Sequence, residues 1–69
     1  MGQVVYIGDN LKQLRIEAAL SQIELADKAG VNRAAVNRIE RNRTEPHMRT
    51  VRKLAAALDV EPRALTVGE

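Results

Sequence analysis

Cysteine is absent from this sequence of 69 residues, so neither disulfide bonds nor thiolate metal ligands can stabilise the fold. Tryptophan and phenylalanine are absent as well, and there is one tyrosine, Tyr6. The core must therefore consist of Leu, Ile, Val and Ala, whose short side chains favour closely packed helices. No apolar run approaches the ~20 residues that span a bilayer, and the first residues lack the basic segment of a signal peptide. We therefore expect one small domain that works in the cytoplasm, away from the membrane.

Residues that carry chemistry are scarce. His47 is the single histidine, and one histidine without cysteine cannot form a metal site. No set of nucleophile, base and acid can be recognised, and there is no glycine-rich phosphate loop. The sequence predicts that the protein is not an enzyme, with no catalytic residue, no metal, no cofactor and no small-molecule ligand.

Positive charge is concentrated in one stretch of the chain. The net charge is only +2, yet residues 33–53 hold seven basic side chains and two acidic ones, and the rest of the chain is net negative. Six of the seven are arginines, which can grip a phosphate or a guanine edge with two donors at once. This distribution is compatible with a nucleic-acid partner, and equally with a solvated basic surface.

The spacing of apolar residues predicts five short helices. Asp9 or Asn10 is a suitable N-cap for the first helix. Ser21 and Glu24 have the spacing of a capping box for the second, and Gly30 stands where a left-handed residue would end it. The predicted helices cover residues 9–20, 21–29, 33–41, 48–58 and 61–65. The residues expected to face the core from the first two are Leu11, Leu14, Ala18, Ile23, Leu25, Ala26 and Ala29.

The N-terminal segment 3–7 is rich in β-branched and aromatic residues and ends at Gly8, which predicts a short strand or arm. It could pair with residues 65–67 or with the same segment of a second chain. We therefore divide the chain into an arm (1–8), a folded domain (9–66) and a tail (67–69). The predicted fold class is all-α, a compact bundle of about five short helices with a short N-terminal strand or arm.

The third helix has the most informative pattern. At about 100° per residue, its Arg and Asn side chains fall together with Ala34 within an arc of roughly 140°, its other apolar residues lie opposite, and Glu40 lies at the edge of the buried side. The polar arc contains no acid, whereas a merely solvated helix usually mixes both signs of charge. An acid-free face of Arg and Asn suits the major groove, where Arg can bind guanine and an Ala methyl can touch thymine. The arc contains Arg33, Ala34, Asn37, Arg38 and Arg41; Ala35, Val36 and Ile39 lie on the other side.

Residues 10–65 resemble the helix-turn-helix domain of the phage repressor and Cro family. The resemblance is carried by the string SQIELADKAGV at 21–31 and by Val36, Ile39, Glu40, Pro46, Leu54, Ala55, Leu58 and Val60. It implies five helices, of which the second and third read DNA, with the third in the major groove. It also implies a structural pair between Arg15 and Glu40 that joins the first helix to the third. The family commonly has glycine at the position of Asn42, so this turn departs from the pattern.

The resemblance further implies roles for individual positions. Arg33, Ala34 and Arg38 match positions that reach base edges. Asn37 is expected to join them, although it could instead point along the groove wall. The expected contacts to the DNA backbone are made by Gln22, Asn32, Arg41 and Arg43, with solvation of Gln22 and simple capping by Asn32 as the plain alternatives.

These features lead to the hypothesis of a sequence-specific DNA-binding protein, a small bacterial or phage-type transcriptional regulator. Its expected partner is a double-stranded inverted-repeat operator, bound as a homodimer. The dimer surface is expected to involve Val60, Leu65, Val67 and the arm Val4–Ile7. The alternative is a protein-interaction module of the same fold, such as an antitoxin or a coactivator-like adaptor, with weak or no DNA binding.

Overall fold

Residues 6–66 are described by a computed structural model of the protein, and they form five α-helices with no strand among them. The helices are α1 (Gly8–Glu17), α2 (Gln22–Ala29), α3 (Arg33–Glu40), α4 (Met48–Ala57) and α5 (Arg63–Thr66). The predicted all-helical fold is confirmed. The longest described helices have ten residues, and none in this part of the chain could cross a membrane.

Side-chain caps fix the starts of α2 and α3, as predicted. Ser21 Oγ accepts from the Glu24 backbone N–H at 3.0 Å, and Glu24 Oε1 accepts from the Ser21 N–H at 2.8 Å, which completes the capping box. Asn32 Oδ1 accepts from the Ala34 N–H at 2.7 Å. Because these caps involve residues two or three apart, the sequence alone could identify them.

The predicted start of α1 was wrong. The helix begins at Gly8, and its N-cap residue, Ile7, makes no side-chain capping bond. The Gly8 N–H instead donates to Oδ1 of Asn42 at 3.0 Å. A side chain beyond the end of α3 therefore satisfies one of the free amides at the start of α1.

Helices α1 to α4 each end beside a residue with positive φ. These are Ala19 (59°), Gly30 (72°), Asn42 (56°) and Asp59 (58°). The left-handed ends at Gly30 and Asn42 were predicted, whereas α1 was expected to run to Leu20 and stops at Glu17. It stops early because the Leu20 N–H bonds back to the Arg15 carbonyl at 3.1 Å around the left-handed Ala19.

The core is aliphatic, and it lies where α2 packs against α3 and α4, where α1 packs against α3 and α5, and where α5 meets α4. Two of its members, Ile7 and Leu65, are almost wholly buried. The expectation that Leu65 helps form a dimer surface was therefore wrong, and Ile7 is part of the core. Val60, which shared that expectation, is half-buried. The buried hydrophobic residues are Ile7, Leu11, Leu25, Ala26, Val36, Ile39, Val51, Leu54, Ala55, Ala57, Leu58 and Leu65.

Two expected core residues are exposed, and most of the predicted N-terminal strand lies outside the described residues. Ile23 is 50% exposed and Ala18 is also exposed, so both predictions were wrong. Ile23 is exposed because α2 faces the core with Leu25 and Ala26. Ala18 is exposed because α1 ends at Glu17, so that Ala18 lies in the turn that follows. The predicted strand falls largely on residues 1–5, which lie outside the described residues, and so does the tail at 67–69. Tyr6 and Ile7, which are described, do not belong to a strand.

Candidate nucleic-acid interface

Helices α2 and α3 form one structural unit joined by a short turn. The left-handed Gly30 ends α2, its N–H bonding to the Asp27 carbonyl at 3.3 Å, and the Val31 N–H bonds to the Ala26 carbonyl at 3.0 Å. Asn32 then caps α3. Two capped helices and a bonded turn fix the angle between α2 and α3.

Helix α3 presents two contrasting faces. Val36 and Ile39 are buried against the core, whereas Arg33, Ala34 and Arg38 are exposed. The structure therefore places three of the four predicted base-reading residues on the exposed side of the helix, whereas the fourth, Asn37, is half-buried. Arg33 and Arg38, five positions apart on the helix with the methyl group of Ala34 between them, form a surface whose side chains donate hydrogen bonds and accept none.

Glu40 is the one buried charged residue among residues 6–66, and it binds Arg15 as the resemblance implied. Arg15 Nε and Nη2 donate to the two carboxylate oxygens at 2.6 and 3.0 Å, and Nη1 donates to the Leu20 carbonyl at 2.9 Å. The side chains are 13% and 3% exposed. The hydrogen bonds that Arg15 donates to the Glu40 carboxylate raise the pKa of Arg15, and desolvation by burial opposes this increase. This bidentate ion pair joins α1 to the last turn of α3.

The chain of hydrogen bonds continues from Glu40 to the outer side of α3. Gln22 Nε2 donates to Glu40 Oε1 at 3.0 Å, and Gln22 Oε1 accepts from Asn37 Nδ2 at 3.2 Å. Gln22 and Asn37 are both half-buried. Neither contact was predicted, because residues 15 or 18 positions apart carry no local signal that they meet.

Gln22 thus has one amide hydrogen engaged and one remaining, because a side-chain amide carries two donors. Asn37 is fixed to α2 rather than free on the helix surface. Arg33 also has a partner on α2, Asp27, with an Nη2–Oδ2 distance of 3.6 Å between exposed side chains. The sequence pattern of α3 by itself could not reveal this acid, since it lies on another helix.

The remaining predicted residues surround the ends of α3. Asn32 at its start and Arg41 and Arg43 beyond its end are exposed. The Arg43 N–H bonds to the Arg38 carbonyl at 2.9 Å and the Asn42 N–H to the Ile39 carbonyl at 3.0 Å, so the turn after α3 has a defined shape.

Outside α2 and α3, the described residues show fewer features of a functional site. No cluster of His, Asp and Glu within residues 6–66 could hold a metal ion. An open depression lies on the outer side of α1, between Asp9, Lys12, Gln13, Ile16 and Glu17.

Comparison with known proteins gives consistent matches. A family model described as helix-turn-helix matches residues 11–65. The immunity repressor protein of Bacillus phage phi105 is 38% identical over 63 residues, which cover 91% of this chain and 43% of the repressor. The chain spans about half the length of the curated relatives that it matches.

Two solved structures are similar in fold and sequence. The restriction-modification controller protein C.AhdI from Aeromonas hydrophila is 41% identical, with a TM-score of 0.84 over 88% of this chain and 92% of that one. The biofilm master regulator SinR, solved in complex with DNA, is 43% identical, with a TM-score of 0.82 over 86% of this chain and 95% of that one.

The arrangement of α2, the Gly30 turn and α3 defines a helix-turn-helix domain. The match of the family model over most of the chain, together with the sequence identity to these relatives, leads to one assignment: the chain belongs to the helix-turn-helix family. The resemblance to phage repressors is confirmed. The names of the relatives, a repressor, a controller protein and a regulator, also confirm the interpretation that the chain is not an enzyme.

Proposed function

We propose that this protein binds double-stranded DNA sequence-specifically by inserting α3 into the major groove, as a bacterial or phage-type transcriptional regulator. The observation that carries the proposal is the division of α3 between buried Val36 and Ile39 and exposed Arg33, Ala34 and Arg38. The similarity to SinR, which was solved in complex with DNA, supports it. The groove can accommodate a helix whose outer side bears long donors and no bulky apolar group.

Base edges are contacted by Arg33, Ala34, Asn37 and Arg38. Arg33 can leave Asp27 at little cost, because an ion pair between exposed side chains contributes only ~0–1 kcal/mol. Arg38, which lies five positions further along α3, can donate to O6 and N7 of guanine.

The DNA backbone is contacted by Gln22, Asn32, Arg41 and Arg43. Gln22 retains one free amide hydrogen and stands at the first position of α2, where the helix dipole favours an anion such as phosphate. Asn32 uses its oxygen to cap α3, so its amide hydrogens remain available to a phosphate.

A single domain of this size covers little DNA, so we propose that two copies bind an inverted repeat with half-sites about one helical turn apart. Such a regulator works in the bacterial cytoplasm, where the chromosome or the phage genome is located.

Selection from a randomised duplex library, followed by titration of the enriched site, tests the proposal. We expect a defined motif and an affinity that falls steeply with salt, with a log–log slope near −0.9 for each phosphate neutralised. Arg38→Ala should weaken binding by about 1–3 kcal/mol and relax the preference at one base pair.

Arg63→Ala is the matched control, because it removes the same charge from an exposed position on α5. It should leave the motif unchanged. If the wild-type protein enriches no motif and does not bind duplex DNA even at low salt, the proposal fails and the protein-interaction module becomes the better interpretation.

A further inference from the structure

A continuous line of hydrogen bonds leads from the buried charge pair to the surface of α3. Arg15 donates to Glu40, Gln22 donates to Glu40, and Asn37 donates to Gln22, with the last two contacts at 3.0 and 3.2 Å. Asn37 belongs to the polar arc of α3, whereas Glu40 is buried. The line therefore connects a fixed charge to a side chain assigned above to base contact.

The direction of every bond in this line follows from its buried end. An ionised carboxylate can only accept hydrogen bonds, so Gln22 must turn its Nε2 toward Glu40. Its Oε1 then points at Asn37, which must turn its Nδ2 toward Gln22. Reversing either amide would bring two acceptors or two donors together, and would leave a partly buried polar group unsatisfied.

The orientation of Asn37 has a consequence for recognition. One Nδ2 hydrogen is used by Gln22, and Oδ1 has no hydrogen-bond partner within residues 6–66. The edge that remains consists of an acceptor, Oδ1, and a donor, the second hydrogen of Nδ2. Adenine presents the complementary pair in the major groove, a donor at N6 and an acceptor at N7, whereas guanine presents two acceptors.

We propose that Asn37 reads adenine in preference to guanine, and that Gln22 is the positioning residue that transmits the orientation set by Glu40. This inference rests on the proposed function, since it assumes that α3 lies in the major groove. An asparagine free of Gln22 could rotate to donate both of its hydrogens, and it would discriminate less between the two purines.

The test is a selection from randomised duplexes with the full chain, followed by competition between adenine and guanine at the position whose preference Asn37→Ala abolishes. In the wild type we expect roughly a 5- to 150-fold preference for adenine, the range of one good bidentate contact. Gln22→Met removes both amide bonds at similar length, and it should reduce that preference to below about 3-fold while the position read by Arg38 keeps its preference. A merely structural role for Gln22 would weaken both positions alike.

Glu40→Gln is the second variant. It keeps an acceptor for Arg15 but replaces the carboxylate, which can only accept hydrogen bonds, with an amide that can also donate. The side-chain amides of Gln22 and Asn37 can then both reverse their orientation. It too should relax the preference for adenine. Gln13→Met, which makes the same change on the exposed side of α1, should leave the motif intact. Thermal unfolding by circular dichroism identifies any variant that does not fold.

The outcomes separate the two proposals. Absence of any enriched motif in the wild type overturns DNA recognition itself. An enriched motif that is unchanged by Asn37→Ala, or an adenine preference that survives in both folded Gln22→Met and folded Glu40→Gln, overturns the positioning role while DNA recognition stands.

Discussion

Replacing Gly8 with alanine tests how closely the start of α1 lies against the end of α3. A Cβ atom at this position would collide with Oδ1 of Asn42, and it would lie 2.6 Å from the Glu40 carbonyl oxygen and 2.7 Å from the Ile39 carbonyl oxygen. Carbon and oxygen atoms normally approach to about 3.3–3.6 Å. Two of the three obstacles are backbone atoms, so α1 and α3 would have to separate.

The expected cost can be worked out from known substitutions. Overpacking of this kind costs about 1–3 kcal/mol. Displacement of Asn42 would also remove its bond from the Gly8 N–H, a net loss of about 0.5–1.5 kcal/mol. The intrinsic preference of a helix for alanine over glycine returns about 0.5–1 kcal/mol. We therefore expect the free energy of unfolding of Gly8→Ala to fall by about 0.5–4 kcal/mol, with a central value of about 2 kcal/mol, a large part of the stability of a small domain.

Urea unfolding followed by circular dichroism measures this change. Asn42→Gly is the matched control, since glycine accepts the left-handed backbone at that position and removes Oδ1. The double variant should recover part of the loss and not all of it, because the carbonyl oxygens of Ile39 and Glu40 remain. A Gly8→Ala protein as stable as the wild type would refute the close packing of these two helix ends.

Three further predictions concern stability. Ala19→Gly should raise the free energy of unfolding by about 0.5–1 kcal/mol, because Ala19 is exposed with φ of 59°; a lower thermal midpoint would contradict this. Arg15→Met should lower the free energy of unfolding, measured in urea, by about 3–5 kcal/mol, because it leaves the buried Glu40 carboxylate without its main partner. A loss below about 1 kcal/mol would argue against the ion pair between Arg15 and Glu40. Because folding raises the pKa of Arg15, its contribution to stability is fully present below the ordinary arginine pKa, and it is lost as the pH rises through the raised pKa of the folded protein. The contribution of Arg15 to the free energy of unfolding should therefore not vary around neutral pH. Leu25→Ala should cost about 2–5 kcal/mol, and Ile23→Ala, at a half-exposed neighbour, much less; equal losses would mean that the inner side of α2 is misassigned.

Local rules predicted much of this fold because several helix ends are decided by residues close in sequence. The capping box of Ser21 and Glu24, the left-handed Gly30 and the cap at Asn32 all join residues only a few positions apart. The exposure of the cations on α3 followed in the same way from helical periodicity. The Arg15–Glu40 pair required the family resemblance, because its members are 25 positions apart.

What the sequence did not reveal depends on contacts between distant segments. The start of α1 is determined by Asn42, 34 positions away, and not by Asp9 or Asn10. The same contact explains why asparagine stands where the family commonly has glycine, since its side chain satisfies an amide of another helix. Gln22 and Asn37 likewise meet only because α2 and α3 cross at a particular angle.

The hydrogen bond from Asn10 Nδ2 to the Leu65 carbonyl, at 2.9 Å, brings the last described helix against the first. Together with the contact between Gly8 and Asn42, it places the two ends of the described chain at one corner of the domain, next to the end of α3. A domain whose ends are adjacent can be inserted into a surface loop of a host protein without distorting the fold of the host. Inserted in this way, the five helices would form a separate domain, and the host protein would lie close to the last turn of α3.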